Sequence, residues 1–144
     1  MTKSKHFIIQ ELVPPETYKA MGEQAWQLID EPMIKLLDGL REHFDRPVII
    51  NNWHTGGQFK YRGFRPKGCK VGKETGEHYK KPLNAVDFNV LSLSDDSVKT
   101  EILKHEAKFM ALGLTRMESS IDAPTWTHVD RKPTGLNTIK VFRA

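Results

Sequence analysis

Apolar positions in the first third of the chain recur at helical spacing. Tyr18, Met21, Ala25, Leu28 and Ile29 follow Pro14-Pro15-Glu16-Thr17 and predict a first helix, since proline is tolerated in a first turn. Pro32 is expected to break or kink that run. Met33, Ile34, Leu36, Leu37, Leu40 and Phe44 then form the stripe of a second helix. The period changes at Pro47-Val48-Ile49-Ile50-Asn51-Asn52, a β-branched run that reads as a buried strand. Asn84 to Leu91 predicts a second strand, with Ala85, Val86, Phe88 and Val90 as its apolar content. Ser94 is placed to cap a helix, and Asp95 and Asp96 suit the positive end of its dipole. Val98, Ile102, Leu103, Phe109, Met110 and Leu112 carry that helix to Gly113. Three short strands fit the remainder: Leu114–Glu118, Trp126–Asp130 and Thr138–Phe142. Helices first and strands later predict an α+β class, with N-terminal helices packed on a mostly antiparallel sheet.

A length of 144 residues suits one domain, 1–144, and a monomer is expected. No apolar run approaches the roughly 18 residues of a membrane span, and the N-terminus lacks the apolar centre of a signal peptide. Synthesis in the cytoplasm is therefore expected, without a membrane partner. Cys69 is the only cysteine, which excludes a disulfide framework and any Cys-rich zinc finger. The net charge of +4 is concentrated in a stretch without clear period, Trp53 to Lys81, where Arg62, Arg65, Lys67 and five further lysines face only Glu74 and Glu77. Such a loop is either a solvated surface or a site for an anionic partner. A recognition helix and an aromatic RNA motif are both missing, so nucleic acid is not the expected partner.

Two of the six histidines stand out by context. His78 precedes the strand that carries Asp87, and His128 lies within Trp126-Thr127-His128-Val129-Asp130. Alternation places Trp126, His128 and Asp130 on one face of that strand, which suits the floor of a cleft better than a core. Two imidazoles and one carboxylate suffice for a catalytic zinc site that keeps one position for water. Three of the other four invite plainer readings: His54, ahead of Gly56-Gly57, as a surface-loop residue more readily than a substrate contact, His105 facing solvent between Lys104 and Glu106, and His43 complementing a helix dipole. Trp126 could line a groove or pack at a strand end.

Gly76-Glu77-His78, Ala85-Val86-Asp87 and Trp126-Thr127-His128-Val129-Asp130 together resemble the signature of the D-Ala-D-Ala carboxypeptidase-type zinc metallopeptidases with the Hedgehog-like fold. The Phe7–Leu12 opening and Arg62-Gly63-Phe64-Arg65 are similar to the small phage-type members. The resemblance implies a Hedgehog/DD-peptidase-like domain with His78, Asp87 and His128 as zinc ligands. It implies Arg65 as the arginine on the substrate, with Arg62 as the second choice. The implied activity is cleavage of peptidoglycan stem peptides by zinc-activated water, of the D-Ala-D-Ala carboxypeptidase or L-Ala-D-Glu endopeptidase type, acting on the cell wall after release or from within a virion. Three departures stand out. Gly76 replaces the usual serine, and the spacing from His78 to Asp87 is two residues longer than the family's. Thr125 stands where active members carry a general base, and it cannot accept a proton at neutral pH. Glu118, Asp122 and Asp130 are the nearby acids; Glu118 on the preceding strand is favoured to act if the two strands pair, while Asp130 either shares that role or anchors a loop or orients a ligand. The expected catalytic set is Arg65, Glu118 and Asp130, with Arg62, Arg65 and Trp126 on the substrate. The alternative is an inactive zinc-binding phage structural or wall-binding module of the same fold.

Overall fold

The computed structural model describes residues 1–144. Helix α1 (Pro15–Met21) starts at a proline in its first turn and stops at Gly22, whose φ of 57° lies outside the range other residues adopt easily. The chain continues as 3₁₀ turns over Gly22–Leu28, so the predicted first helix is two pieces. Helix α2 (Glu31–Phe44) begins at Asp30, whose carboxylate accepts from the Met33 amide at 3.0 Å. Pro32 therefore opens this helix instead of kinking a preceding one, because its missing N–H falls among the unpaired donors of a first turn. Ser94 caps α3 (Asp95–Lys104) through the Ser97 amide, as expected. That helix does not reach Gly113. His105 leaves helical geometry (φ −112°, ψ 37°), and α4 (Glu106–Ala111) restarts behind it.

Five strands form one mixed sheet: β1 (Val48–Ile49), β2 (Ala85–Val90), β3 (Arg116–Glu118), β4 (Thr127–Asp130) and β5 (Lys140–Phe142). Their order is β1-β2-β4-β3-β5, antiparallel except for the β3–β5 pair. The first strand is shorter than predicted. Beyond Ile49 the chain docks on the N-terminal segment instead, with the Asn51 amide on the Glu11 carbonyl at 3.0 Å and its side chain on that of Val13.

A cluster of 27 buried apolar residues runs from Phe7 to Ile139 and includes the α2 stripe, Val86 and Phe88 of β2, Phe109, and Val129 of β4. Each such side chain contributes about 1.5–3 kcal/mol on burial. Alternation then decides what the sheet's other face carries. Val86 opposes Val129 toward the core, so Asp87 opposes His128 on the outer face, and Arg116 opposes Asp130. Glu118 and Phe142, paired across β3 and β5, continue that polar face. No helix is long and apolar enough to cross a membrane.

Candidate metal centre and its cleft

His78, Asp87 and His128 converge over the middle of the sheet, all three buried. His128 Nδ1 lies 2.8 Å from Asp87 Oδ1, and His78 Nε2 lies 3.3 Å from both that oxygen and His128 Nδ1. Asp87 and His128 are placed by strand register. His78 comes from a 3₁₀ turn, Glu77–Tyr79, fixed on one side by Asn84 bonding Glu77 and on the other by the Arg65 amide donating to the His78 carbonyl at 3.0 Å.

The hydrogen bonds around the trio determine what its facing atoms are. His78 Nδ1 lies 2.8 Å from the Gly63 carbonyl, which can only accept, so that nitrogen carries the proton. Gly63 is needed there: the Phe64 amide bonds the Leu12 carbonyl at 2.8 Å, and a Cβ on Gly63 would collide with that same carbonyl. His128 Nε2 lies 2.9 Å from Asp130 Oδ2, so its proton also sits on the outer nitrogen. Neutral His78 and His128 therefore turn two lone pairs on a carboxylate oxygen. Three acceptors facing one another need a cation among them. In the metal-free protein that cation is a proton: burial pushes the His128 pKa down, but its bonds to Asp130 and Asp87 outweigh this and raise it to about 9. Burial likewise pushes Asp87 up, and the two imidazoles outweigh it and hold the carboxyl far below its usual range. The same donor set fits a divalent metal. Bonds of 2.0–2.1 Å in a tetrahedron put ligand atoms about 3.3 Å apart, close to the spacings found.

Asp130 is fully buried, with both oxygens occupied by His128 and by Arg116, whose Nε and Nη2 donate at 2.9 and 2.7 Å. The Lys132 amide donates to Oδ1 as well, at 3.1 Å, so Asp130 orients His128 and has no lone pair free to take a substrate proton, which leaves the orienting role and not the catalytic one. Arg116 was not anticipated. The signal for it is weak, a cation two positions before Glu118 on the same strand face.

The trio opens onto a cleft of about 600 Å³ that Arg65, Trp126, Glu118 and Phe142 also line. Strands β3 and β4 do pair, the condition for Glu118 to approach the trio. Its carboxylate makes no hydrogen bond or ion pair, and burial raises its pKa, partly offset by His128 and reinforced by Asp87 and Asp122. Arg65 donates through Nε to the Tyr61 carbonyl at 2.7 Å and through Nη2 to Asp87 Oδ2 at 3.2 Å, which leaves Nη1 for a further partner. Arg62 is elsewhere: its guanidinium stacks on Phe59 and donates to Asn89, outside the cleft. The expectation that it contacts substrate is therefore corrected: Phe59 and Asn89 hold its guanidinium, and the Asp87 amide holds its carbonyl at 2.8 Å. Thr125 is exposed, its carbonyl accepts from Asn89 at 2.9 Å, and it does not line the cleft. Asp122 is bound to Arg143 at 2.8 Å.

The chain matches no protein-family model, no curated protein and no solved structure.

Proposed function

We propose that this chain is a zinc-dependent peptidase of the D-Ala-D-Ala carboxypeptidase or L-Ala-D-Glu endopeptidase type, with a Hedgehog/DD-peptidase-like fold, acting on peptidoglycan stem peptides. The observation that carries the reading is the convergence of three buried acceptors, His78, Asp87 and His128, at the floor of an open cleft. Zinc bound by these three would supply a Lewis acid for a scissile carbonyl and lower the pKa of water. The remaining work falls to this chain's side chains. The Gly63 carbonyl and Asp130 hold the two imidazoles in the tautomers that ligation requires. Glu118, unpaired and raised in pKa, is suited to take a proton from water and return it to the leaving amine. Arg65 Nη1 offers a fixed donor to a substrate carbonyl or carboxylate. Trp126 supplies an apolar wall.

The test is digestion of purified peptidoglycan by the zinc-loaded protein, with released peptides identified by mass spectrometry. Products that disappear on chelation and return with zinc support the reading. Bound zinc without products, together with wall binding, points instead to a non-catalytic module, for which the exposed, non-acidic Thr125 is the motivating residue.

A further inference from the structure

A second group of ligand-type side chains lies away from the cleft, where α2 ends against the α3–α4 break. His43 Nε2 and His105 Nδ1 approach the same oxygen of Glu101, at 3.0 and 3.2 Å. Glu101 lies in α3 and His105, four residues on, is the residue at which that helix ends, while His43 comes from the last turn of α2. The ring centroids of the two histidines are 4.6 Å apart, and the three candidate ligand atoms all lie within 4.8 Å of one another. The site is neither sealed nor fully open: the side chains are 11%, 38% and 38% exposed for His43, His105 and Glu101, with the His43 ring packed on Phe44 and Phe109.

We propose that His43, Glu101 and His105 form a second metal site, for a borderline divalent transition metal such as Zn²⁺ or Ni²⁺, that clamps the end of α2 to the α3–α4 break. Two imidazoles and a single carboxylate select these ions over Ca²⁺ and Mg²⁺, which require oxygen-rich shells. The two short edges, 3.0 and 3.2 Å, are close to the edge of a tetrahedron with 2.0–2.1 Å bonds, about 3.3 Å. Glu101 in α3 and His105 at its end present two ligands to one point, as their 3.2 Å approach shows, and α2 supplies the third. The partial exposure of Glu101 and His105 leaves room for water to complete the shell. The proposal does not depend on the first site or on peptidase activity.

One neighbour opposes loading and gives the proposal a distinctive signature. Lys108 Nζ donates to His43 Nδ1 at 2.7 Å, which requires the ring proton on Nε2. A metal on Nε2 requires the other tautomer, with Nδ1 protonated and unable to accept from an ammonium. His105 must also give up its Nδ1 hydrogen bond to the Glu101 carbonyl, at 3.1 Å. Metal binding therefore expels Lys108, and removal of that lysine should favour the metal.

Zinc and nickel titrations of the full chain by calorimetry test this. Two ions per chain are expected in the wild type, one in Glu101→Gln and in His43→Gln, and two in Lys108→Met with the weaker ion held severalfold tighter. In an Asp87→Asn/His128→Gln background, one ion should remain and should raise the melting temperature, and adding Glu101→Gln should remove both effects. A wild type whose every ion survives both Glu101→Gln and His43→Gln overturns the proposal. If either variant fails to fold, Lys108→Met and the Asp87→Asn/His128→Gln background decide: no tightening in the first and no ion in the second overturn it. A wild type with a single ion that Glu101→Gln abolishes would overturn the first site and leave this one standing.

Discussion

Asp130 and Arg116 face each other across β3 and β4 and share two hydrogen bonds, 2.9 and 2.7 Å, while Asp130 turns its Oδ2 to His128 at 2.9 Å as well. A buried carboxylate is thereby neutralised on one side and made to select the His128 tautomer on the other. Burial alone would push its pKa up, but the bonds from His128 and Arg116 keep it ionised.

Loss of Arg116 should therefore reach the metal centre indirectly. Arg116→Met leaves Asp130 with an unpaired buried charge and loosens His128, and such orienting partners are commonly worth 10–100-fold in metal affinity. Zinc titration of Arg116→Met should show a weakening in that range, with Arg116→Lys intermediate because lysine lacks the fork. Unchanged affinity in both would remove Arg116 from the centre.

Direct ligand changes should be more severe. His78→Ala, Asp87→Ala and His128→Ala each leave two protein ligands where three are needed to hold zinc. Metal analysis after gel filtration should find the ion at this centre lost in each. Full occupancy in all three would refute the site.

Residue type and alternation marked His128 and Asp130 as a strand face that is not a core face, whereas His78, Asp87 and His128 as one ligand set rested on the family resemblance. The supports of that set were not legible. Arg116 meets Asp130 only through the β3–β4 register, which is not encoded locally. Gly63 acts through a backbone carbonyl, which no side-chain motif records. The two arginines of the aperiodic loop, Arg62 and Arg65, could not be separated from sequence, because the partners that hold them, Asn89 for the first and Asp87 for the second, are brought to them only by the fold. Among the helices, Pro32 marked a real boundary, and Gly22, where α1 stops, passed unread. The apolar spacing across Gly22 suggested one helix because 3₁₀ turns continue to bury Ala25 and Trp26.

Arg65 and Lys67 lie two residues apart in the basic loop, yet only Arg65 lines the cleft. If Arg65 anchors the substrate, Arg65→Lys loses a directed charge-assisted bond of about 1.5–3 kcal/mol, or roughly tenfold to a hundredfold in kcat/KM. Lys67→Ala should leave hydrolysis within twofold of wild type. Equal, small effects would mean that the loop is a solvated surface.

His128 sets an alkaline limit on the metal-free protein. Its pKa rises from 6.5 to about 9 on folding, so the folded state binds the proton more tightly. The stabilisation is complete below about pH 6.5 and is lost as pH rises through about 9. Calorimetric melting of the metal-free protein should decline across that window, and His128→Gln should flatten the decline. Zinc should abolish it too, since the metal replaces the proton among the three acceptors, and zinc affinity should increase with pH over the same range.

Glu118 is predicted to show the opposite pattern, with activity gained at the expense of stability. Its carboxylate has no partner in the fold, and burial raises its pKa, so holding it ionised at neutral pH destabilises the metal-free protein. A carboxyl with a raised folded pKa destabilises in full above that pKa, and the effect vanishes below the unfolded value near 4.5. Glu118→Gln should therefore raise the melting temperature of the metal-free protein at pH 7, and the gain should disappear on acidification below about pH 4.5. If Glu118 is the proton-transfer group, the same change should reduce peptidoglycan hydrolysis by about 10²–10⁴-fold while zinc remains bound. A purely structural glutamate gives no reason for this pairing of higher stability with lost turnover. Hydrolysis that survives Glu118→Gln would exclude it as the base. A stability gain alone, in a wild type that hydrolyses nothing, would mark a strained acid retained in an inactive cleft.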